Sequence, residues 1–205
     1  MQAGFVASLN HPGGNVTGVY LFLTQLTAKK LSLLHDLLPQ VTVIGAILNP
    51  GTAGGGVETK DLEAAGRALG LRVDIVNAKS VHEIEVGFAT LRQQGVGAVI
   101  VGADPYYVSQ RTQIVALAER YALPAMYELR PFVDAGGLIS YGTDLGAGYR
   151  QAGIYAGRIL KGEKPANLPV LQSTKFQLVI NLKTAKSLGI KISDNMLTLA
   201  DEVIE

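Results

Sequence analysis

Apolar and polar residues alternate in blocks along the middle of the chain. Four apolar runs begin at Thr42, Leu71, Ala98 and Pro124, about 26 to 29 residues apart. Between each pair lies a stretch whose apolar residues recur every three or four positions, which indicates an amphipathic helix. A strand, a crossover helix and a parallel strand occupy about 30 residues. The pattern therefore predicts consecutive βαβ units and a parallel sheet.

Start and stop signals support these elements. A leucine-rich helix over 23–38 ends at Pro39, which cannot continue a helix. Ser80 is placed to cap a later helix, and Glu83 completes a capping box. The strand Leu71–Val76 alternates more than its neighbours, so we expect it at a sheet edge. The last two predicted helices span 182–188 and 195–203.

The pattern changes after Leu129. A short β-prone run over 15–20 precedes the four-stranded block, and a new strand at LISYGTD with its own helix follows it. A chain that leaves one layer, builds a second layer and returns has two lobes. The sequence predicts an α/β fold with one complete Rossmann-like lobe, built on a parallel sheet, and an incomplete second lobe.

Composition excludes several classes of protein. The 205 residues are 48% apolar, and a net charge of +1 without a Lys/Arg run argues against nucleic acid or an anionic membrane as partner. With no cysteine, disulfides and thiolate catalysis are excluded. The uncharged stretch 37–57 is broken by prolines and glycines and is not expected to span a membrane. No signal peptide is expected in this chain, because its first residues lack a basic and an apolar region.

Catalytic motifs are missing as well. The chain contains no G-x-S-x-G, H-E-x-x-H or Walker A motif, and its GTAGGG loop does not match G-x-G-x-x-G. His11, His35 and His82 lie in a turn and two predicted helices without the spacing of metal ligands. We therefore expect no enzymatic activity, no cofactor and no metal ion.

Segments spread over nearly the whole chain resemble one family. In chain order they are HPGGNVTGV, LLHDLLP, NP, VGADPYY, PAMYE, AGGLISYG, YAGRILKGEKPANLPV and KFQLVINLKTAKSLGI with LADEVIE. They are similar to the ABC-transporter substrate-binding proteins that include the bacterial tryptophan/tyrosine-type members. The resemblance implies a type I periplasmic-binding-protein fold with two lobes and a hinge. It also implies a periplasmic solute-binding component of an importer, whose partners are an amino acid or similar small molecule and a membrane permease.

Members of this family normally begin with a secretion signal or lipoprotein anchor, followed by about four βα units that this chain does not match. The resemblance implies three segments. They are a remnant of the amino-terminal lobe over 1–22, a complete Rossmann-like lobe over 23–129, and a return to the first lobe with hinge and carboxyl-terminal helices over 130–205. An incomplete lobe exposes apolar edges, so we also expect a homodimer through it.

Ligands of open parallel sheets bind beyond the carboxyl ends of the strands. For this fold, we expect the solute contacts among the polar and aromatic residues at those ends. The candidates are Asn49, Thr52, Asp104, Tyr106, Tyr127, Tyr141 and Asp144. Asp104 would accept hydrogen bonds from an ammonium group, and the tyrosines would stack on the solute. Tyr141 and Asp144 are expected on the lobe across the cleft.

Other interpretations stay open at this stage. Asp104 before Pro105 is equally suited to cap a helix, and Glu128 to form an ion pair with Arg130 or Arg111. The function alternatives are a ligand-sensing regulatory domain of the same fold, a Rossmann-like enzyme with a nucleotide at the GTAGGG loop, and a truncated fragment without function.

Overall fold

The computed structural model describes residues 4–21, 26–52 and 54–205. The chain divides into two compact units. The first combines Met1–Phe22 with Thr143–Phe176, and the second combines Leu23–Gly142 with Gln177–Glu205. The chain therefore leaves the first unit, builds most of the second, and passes through both again. Residues 130–205 contribute to both units.

Strands and helices alternate along most of the chain. The strands are β1 (Val19–Tyr20), β2 (Val43–Leu48), β3 (Arg72–Asn77), β4 (Ala98–Val101), β5 (Ala125–Tyr127), β6 (Ile139–Thr143), β7 (Leu171–Gln172), β8 (Phe176–Asn181) and β9 (Glu202–Ile204). The helices are α1 (Thr27–Leu37), α2 (Gly55–Leu69), α3 (Val81–Gln93), α4 (Pro105–Ser109), α5 (Arg111–Arg120), α6 (Arg130–Asp134), α7 (Leu145–Leu160), α8 (Leu182–Ser187) and α9 (Asp194–Leu199). The predicted α/β pattern is confirmed.

The second unit is built on a seven-stranded sheet with the order β3-β2-β4-β5-β6-β8-β9. The pairs from β3 to β6 are parallel, and so is the pair β8 and β9. Strands β6 and β8 run antiparallel, because Asn181 N donates to Leu138 O and Asp144 N donates to Lys175 O. The predicted parallel sheet is confirmed, and so is the edge position of β3.

The central strand β2 is buried on both faces. Ile44 and Leu48 belong to the apolar core that includes Leu31 and Leu34 of α1. On the opposite face, a Cβ atom added to Gly45 would lie 2.9 Å from the Leu91 side chain of α3. Helices therefore cover both faces of the sheet, which explains why its central strands are continuous apolar runs.

Local signals explain where the helices begin and end. Ser80 Oγ accepts a hydrogen bond from Glu83 N at 3.3 Å, as predicted for the cap of α3. The Glu83 carboxylate accepts from Lys79 N, one residue before the position of a standard capping box. Gly70 ends α2 with a φ of 69°, which favours glycine. The first residues of the predicted helix over 23–38 lie outside the described residues.

The carboxyl terminus differs from the sequence prediction. A helix was predicted over 195–203, but α9 ends at Leu199 and the chain continues as strand β9, parallel to β8. Arg130 Nη1 and Nη2 bind the two Glu202 carboxylate oxygens at 2.5 and 2.7 Å. The helix prediction is wrong because it used only the local spacing of apolar residues. Strand β8 has an unpaired edge in the folded sheet, and Val203 and Ile204 pair with it.

The first unit holds a small parallel sheet of β1 and β7 together with α7. Thr17 Oγ1 donates to Leu168 O at 2.6 Å, and Tyr155 OH donates to Pro169 O at 2.8 Å. Of the predicted run over 15–20, only Val19–Tyr20 is a strand. Among the described residues, no helix is both long enough and apolar enough to cross a membrane.

Candidate functional site

The loops after β2 and β4 meet at the carboxyl edge of the large sheet. Asn49 directly follows β2, and its Nδ2 donates to Asp104 Oδ2 at 2.6 Å. Asn49 Oδ1 accepts from Gly51 N at 2.9 Å, and Thr52 Oγ1 donates to Asn49 O at 3.1 Å. One asparagine side chain thus fixes the turn on its own loop and joins that turn to the loop after β4.

Asp104 performs the capping role that the sequence allowed. Its Oδ1 accepts from Tyr106 N at 2.8 Å, and Pro105 occupies the first turn of α4. The side chain is buried, so its two oxygens are held in place by Asn49 and Tyr106 N. Four predicted site residues therefore form one cluster, which we call the polar cluster: Asn49, Thr52, Asp104 and Tyr106. That they contact a solute stays a prediction.

Two neighbouring tyrosines on α4 have different environments. Tyr107 is fully buried and its OH donates to Ala78 O at 2.6 Å, which ties α4 to the end of β3. Burial raises the pKa of the Tyr107 phenol, so it remains protonated. The Tyr106 ring lies 6.5 Å from the Tyr107 ring, tilted by 50°, and is only half-buried. Tyr106 is therefore the ring of this pair with surface left for a contact.

A group of buried charges lies beneath the polar cluster. The Glu58 carboxylate, 2% exposed, accepts from Ala103 N with both oxygens, at 3.3 and 3.2 Å. It also accepts from Thr27 Oγ1 at 3.4 Å, and its Oε1 lies 3.5 Å from Lys30 Nζ. Lys30 is fully buried. Glu58 therefore joins α1 and α2 to the residue directly before Asp104.

Glu128 belongs to the same group, because its electrostatic neighbours are Lys30, Glu58 and Asp104. It follows β5 and is 3% exposed. Burial, with the charges of Glu58 and Asp104, raises the pKa of the Glu128 carboxyl to about 7, while Lys30 lowers it. Glu128 Oε1 has no hydrogen-bond partner in the described part of the chain. We call Lys30, Glu58 and Glu128 the buried charge cluster.

The predicted alternative, an ion pair of Glu128 with Arg130 or Arg111, is wrong. Arg130 forms ion pairs with Asp134 and Glu202, and Arg111 donates to Val108 O. Both arginines are thus engaged within or near their own helices, whereas Glu128 points to the face of the sheet that α1 and α2 cover.

Sequence reasoning missed Lys30 and Glu58, although a signal was present. Lys30 lies one helical turn before Leu34 on the apolar side of α1, and Glu58 lies one turn before Leu62 on the apolar side of α2. A charge at a position that the helical period assigns to the core indicates a buried partner. Gly102 permits the close packing here, since an added Cβ would lie 3.1 Å from Glu58 Oε2.

Three predicted site residues lie apart from the polar cluster. Tyr127 is fully buried, with its ring stacked on Phe132 at 4.8 Å and 10°. Tyr141 lies on β6 in the same sheet and the same unit, where its expected place was the lobe across the cleft. Asp144 lies in the other unit and caps α7 by accepting from Ala147 N at 3.0 Å. The boundary between the two units falls after Gly142, which places Tyr141 in the second unit.

The polar cluster offers hydrogen-bond acceptors and an aromatic ring. It contains no nucleophile beside a base. No group of three or more His, Cys, Asp or Glu side chains suited to a metal ion occurs among the described residues. A carboxylate held in place beside an amide is suited to bind a polar solute.

A mostly parallel sheet with polar loops at its carboxyl edge is the architecture of doubly wound α/β domains, which bind ligands at that edge. The family model described as ABC transporter substrate binding protein matches residues 1–204. The chain therefore belongs to the ABC transporter substrate-binding proteins. This family consists of solute-binding proteins and not of enzymes, which confirms the predicted family, fold class and non-enzymatic nature.

Individual relatives agree with this assignment. A tyrosine-binding protein of Clostridioides difficile is 26% identical over 200 residues, which are 93% of this chain and 54% of that protein. A crystal structure of an ABC domain from Streptococcus pneumoniae in complex with L-Trp is 30% identical, with a TM-score of 0.85, and covers 98% of this chain and 69% of that one. A conserved domain protein from Vibrio cholerae is 25% identical, with a TM-score of 0.85 and coverages of 97% and 66%. The chain thus spans about half of the curated relative and about two thirds of the solved ones.

Proposed function

We propose that this chain is the solute-binding component of an ABC-type importer and that it binds an amino acid or a similar small molecule. The observation that carries the proposal is the polar cluster at the carboxyl ends of β2 and β4, in a chain of this family. In open parallel sheets ligands bind at this edge. The comparisons favour neither the regulatory domain nor the fragment without function.

The chemistry follows from the groups that the cluster holds in place. The Asp104 carboxylate is oriented before the solute arrives, so an ammonium group gains a charge-assisted hydrogen bond without reorganising the loop. The half-buried Tyr106 ring offers a face for an apolar side chain. The amino end of α2, which follows this loop, carries the positive end of the helix dipole and favours a carboxylate nearby.

The proposed solute contacts are those that the sequence predicted: Asn49, Thr52, Asp104, Tyr106, Tyr127, Tyr141 and Asp144. We rank the four residues of the polar cluster first, because they form one hydrogen-bonded unit. Tyr127 ranks last, since its ring is packed against Phe132.

The transport cycle is part of the proposal. Two lobes close over the solute by a hinge movement, as is known for periplasmic binding proteins, and the closed form is presented to a membrane permease in the periplasm. Two relatives, one a tyrosine-binding protein and the other an ABC domain in complex with L-Trp, make aromatic amino acids the first probes. The comparisons give no support to a homodimer, which stays a prediction.

The test is an equilibrium titration with L-tryptophan. Because the chain contains no tryptophan, the bound amino acid is the only indole emitter, and its fluorescence anisotropy reports binding directly. Asp104→Asn retains a capping side chain for α4 but removes the charge. Hydrogen bonds to charged groups contribute about 1.5–3 kcal/mol, so we expect affinity to fall roughly tenfold to a hundredfold.

The matched control is Asp74→Asn, which removes one carboxylate from the edge strand β3, where Asp74 pairs with Arg72. We expect this variant to bind as the unaltered chain does. Equal losses in both variants would show that overall charge, and not the polar cluster, determines binding. If neither tyrosine nor tryptophan nor any other amino acid binds, the proposed solute class is wrong.

A further inference from the structure

A cavity lies in the large unit, at the end of the sheet away from the polar cluster. It has a volume of about 330 Å³. Its walls come from α5, from the amino end of β5, from the turn between α6 and β6, and from α8. They include Val115, Ala118, Leu123, Leu138 and Leu188. This size falls within the range of pockets that hold small molecules.

The turn that closes the cavity is held rigidly. Thr184 Oγ1 of α8 donates to Gly136 O at 2.8 Å, which joins α8 to the turn before β6. Gly136 has a φ of 103°, a conformation that favours glycine. The cavity is therefore bounded by a constrained turn and a capped helix, and not by a loose loop.

Hydrogen-bond donors line the cavity without partners. Asn181 Oδ1 accepts from Thr184 N at 3.0 Å, which leaves its Nδ2 without a partner among the described residues. Tyr127 is fully buried, and its OH also has no partner in the described part of the chain. An added Cβ on Gly137 would lie 2.5 Å from Tyr127 Cε2, so the hydroxyl-bearing half of the ring lies against the cavity wall.

Charges stand at the rim. Lys183 and Glu119 line the cavity and are exposed, and no acid lies within ion-pair distance of Lys183 Nζ in the structure as described. Burial raises the pKa of the Tyr127 phenol, so this group is present as a donor over the physiological range. Two neutral donors and one cation thus line a space whose walls also include several apolar side chains.

We propose that this cavity binds a small carboxylate with an apolar body, with the anion bound by Asn181 Nδ2 and Lys183 Nζ and the apolar part against Leu123, Leu138 and Leu188. No acceptor for Asn181 Nδ2 or Lys183 Nζ occurs in the described part of the chain, and a carboxylate supplies two strong acceptor oxygens. The single acid at the rim, Glu119, disfavours ligands with two negative charges. This site shares Tyr127 with the proposed solute contacts but none of the four residues of the polar cluster, so its test does not depend on that cluster.

The experiment uses benzoate as the probe and benzamide as its neutral counterpart, titrated by calorimetry into the chain. We expect saturable binding of benzoate and at least tenfold weaker binding of benzamide. Asn181→Asp keeps the Oδ1 acceptor that caps α8 but replaces the donor with a second negative oxygen, so benzoate binding should be lost. Lys183→Gln should weaken benzoate at least threefold.

Lys186→Gln is the matched control, because Lys186 is exposed on the same helix and does not line the cavity. It should bind benzoate as the unaltered chain does. Lys183→Gln changes an exposed side chain, so it tests the site even if Asn181→Asp fails to fold. The proposal is overturned if benzoate does not bind at millimolar concentration, if benzamide binds equally well, or if Lys183→Gln and Lys186→Gln lose the same affinity.

Discussion

The ion pair between Lys30 and Glu58 provides the sharpest test of how the site is supported. The two side chains are 0% and 3% exposed, and Lys30 Nζ lies 3.5 Å from Glu58 Oε1. At an effective dielectric constant of about 20, two charges at this distance attract by roughly 4–5 kcal/mol. Removing one partner of a buried pair costs about 3–5 kcal/mol, because the other charge stays buried without compensation.

The informative perturbation is Glu58→Gln. It keeps an oxygen that can accept from Ala103 N but removes the carboxylate that forms the ion pair with Lys30. We expect the free energy of unfolding to fall by about 3–5 kcal/mol. The double variant Lys30→Met with Glu58→Gln removes both charges, and it should therefore be more stable than Glu58→Gln alone.

The assay is urea unfolding followed by circular dichroism, with the slope m compared between variants so that only changes in stability are counted. Lys29→Met is the matched control, since Lys29 is exposed next to Lys30, and it should change stability by less than about 0.5 kcal/mol. A cost below about 1 kcal/mol for Glu58→Gln, or a double variant as unstable as the sum of the single ones, would refute the reasoning.

Three further predictions concern the same unit. Because the pKa of Glu128 is raised from 4.5 to about 7, the folded chain binds the proton more tightly, so stability falls as pH rises from about 4.5 to 7. The free energy of unfolding of Glu128→Gln, measured by urea unfolding, should not show this loss of about 3 kcal/mol between about pH 4.5 and 7. Gly142→Ala places a Cβ 1.8 Å from Glu128 O, so it should cost about 3 kcal/mol of stability and lower the melting temperature strongly. Gly14→Ala is the control, because its added Cβ has no atom within 4 Å, and it should leave the melting temperature nearly unchanged. Ser80→Ala should cost about 1 kcal/mol in urea unfolding by removing the cap of α3; no change would contradict the capping bond.

The repeating βαβ part of the fold could be predicted from the sequence because each local rule agreed with the sheet. Buried parallel strands are continuous apolar runs, and β2 and β4 were located within a residue or two. The carboxyl terminus could not be predicted in this way. Strand β9 forms because β8 offers an edge, and that edge exists only in the folded sheet.

Part of the candidate site could be predicted because its residues directly follow predicted strands. Asn49 and Asp104 follow two strands that turn out to be adjacent, so their position at strand ends was enough to bring them together. The direction of the Tyr127 side chain depends on the pleat of β5, which short apolar runs do not reveal. The contact between Lys30 and Glu58 depends on the packing of α1 against α2. The spacing of apolar residues within one helix does not show which other helix packs against it.

The central claim is that this chain binds a small solute, and a thermal-shift screen tests it most directly. Amino acids, small peptides, nucleosides and carboxylates are added separately to the purified chain. A ligand at 100 times its dissociation constant adds about 2.7 kcal/mol to the stability of the folded state. We predict a cooperative melt that amino acids move upward, with the shift lost in Asp104→Asn and kept in Asp74→Asn. A cooperative melt that no compound of any class moves would contradict the claim.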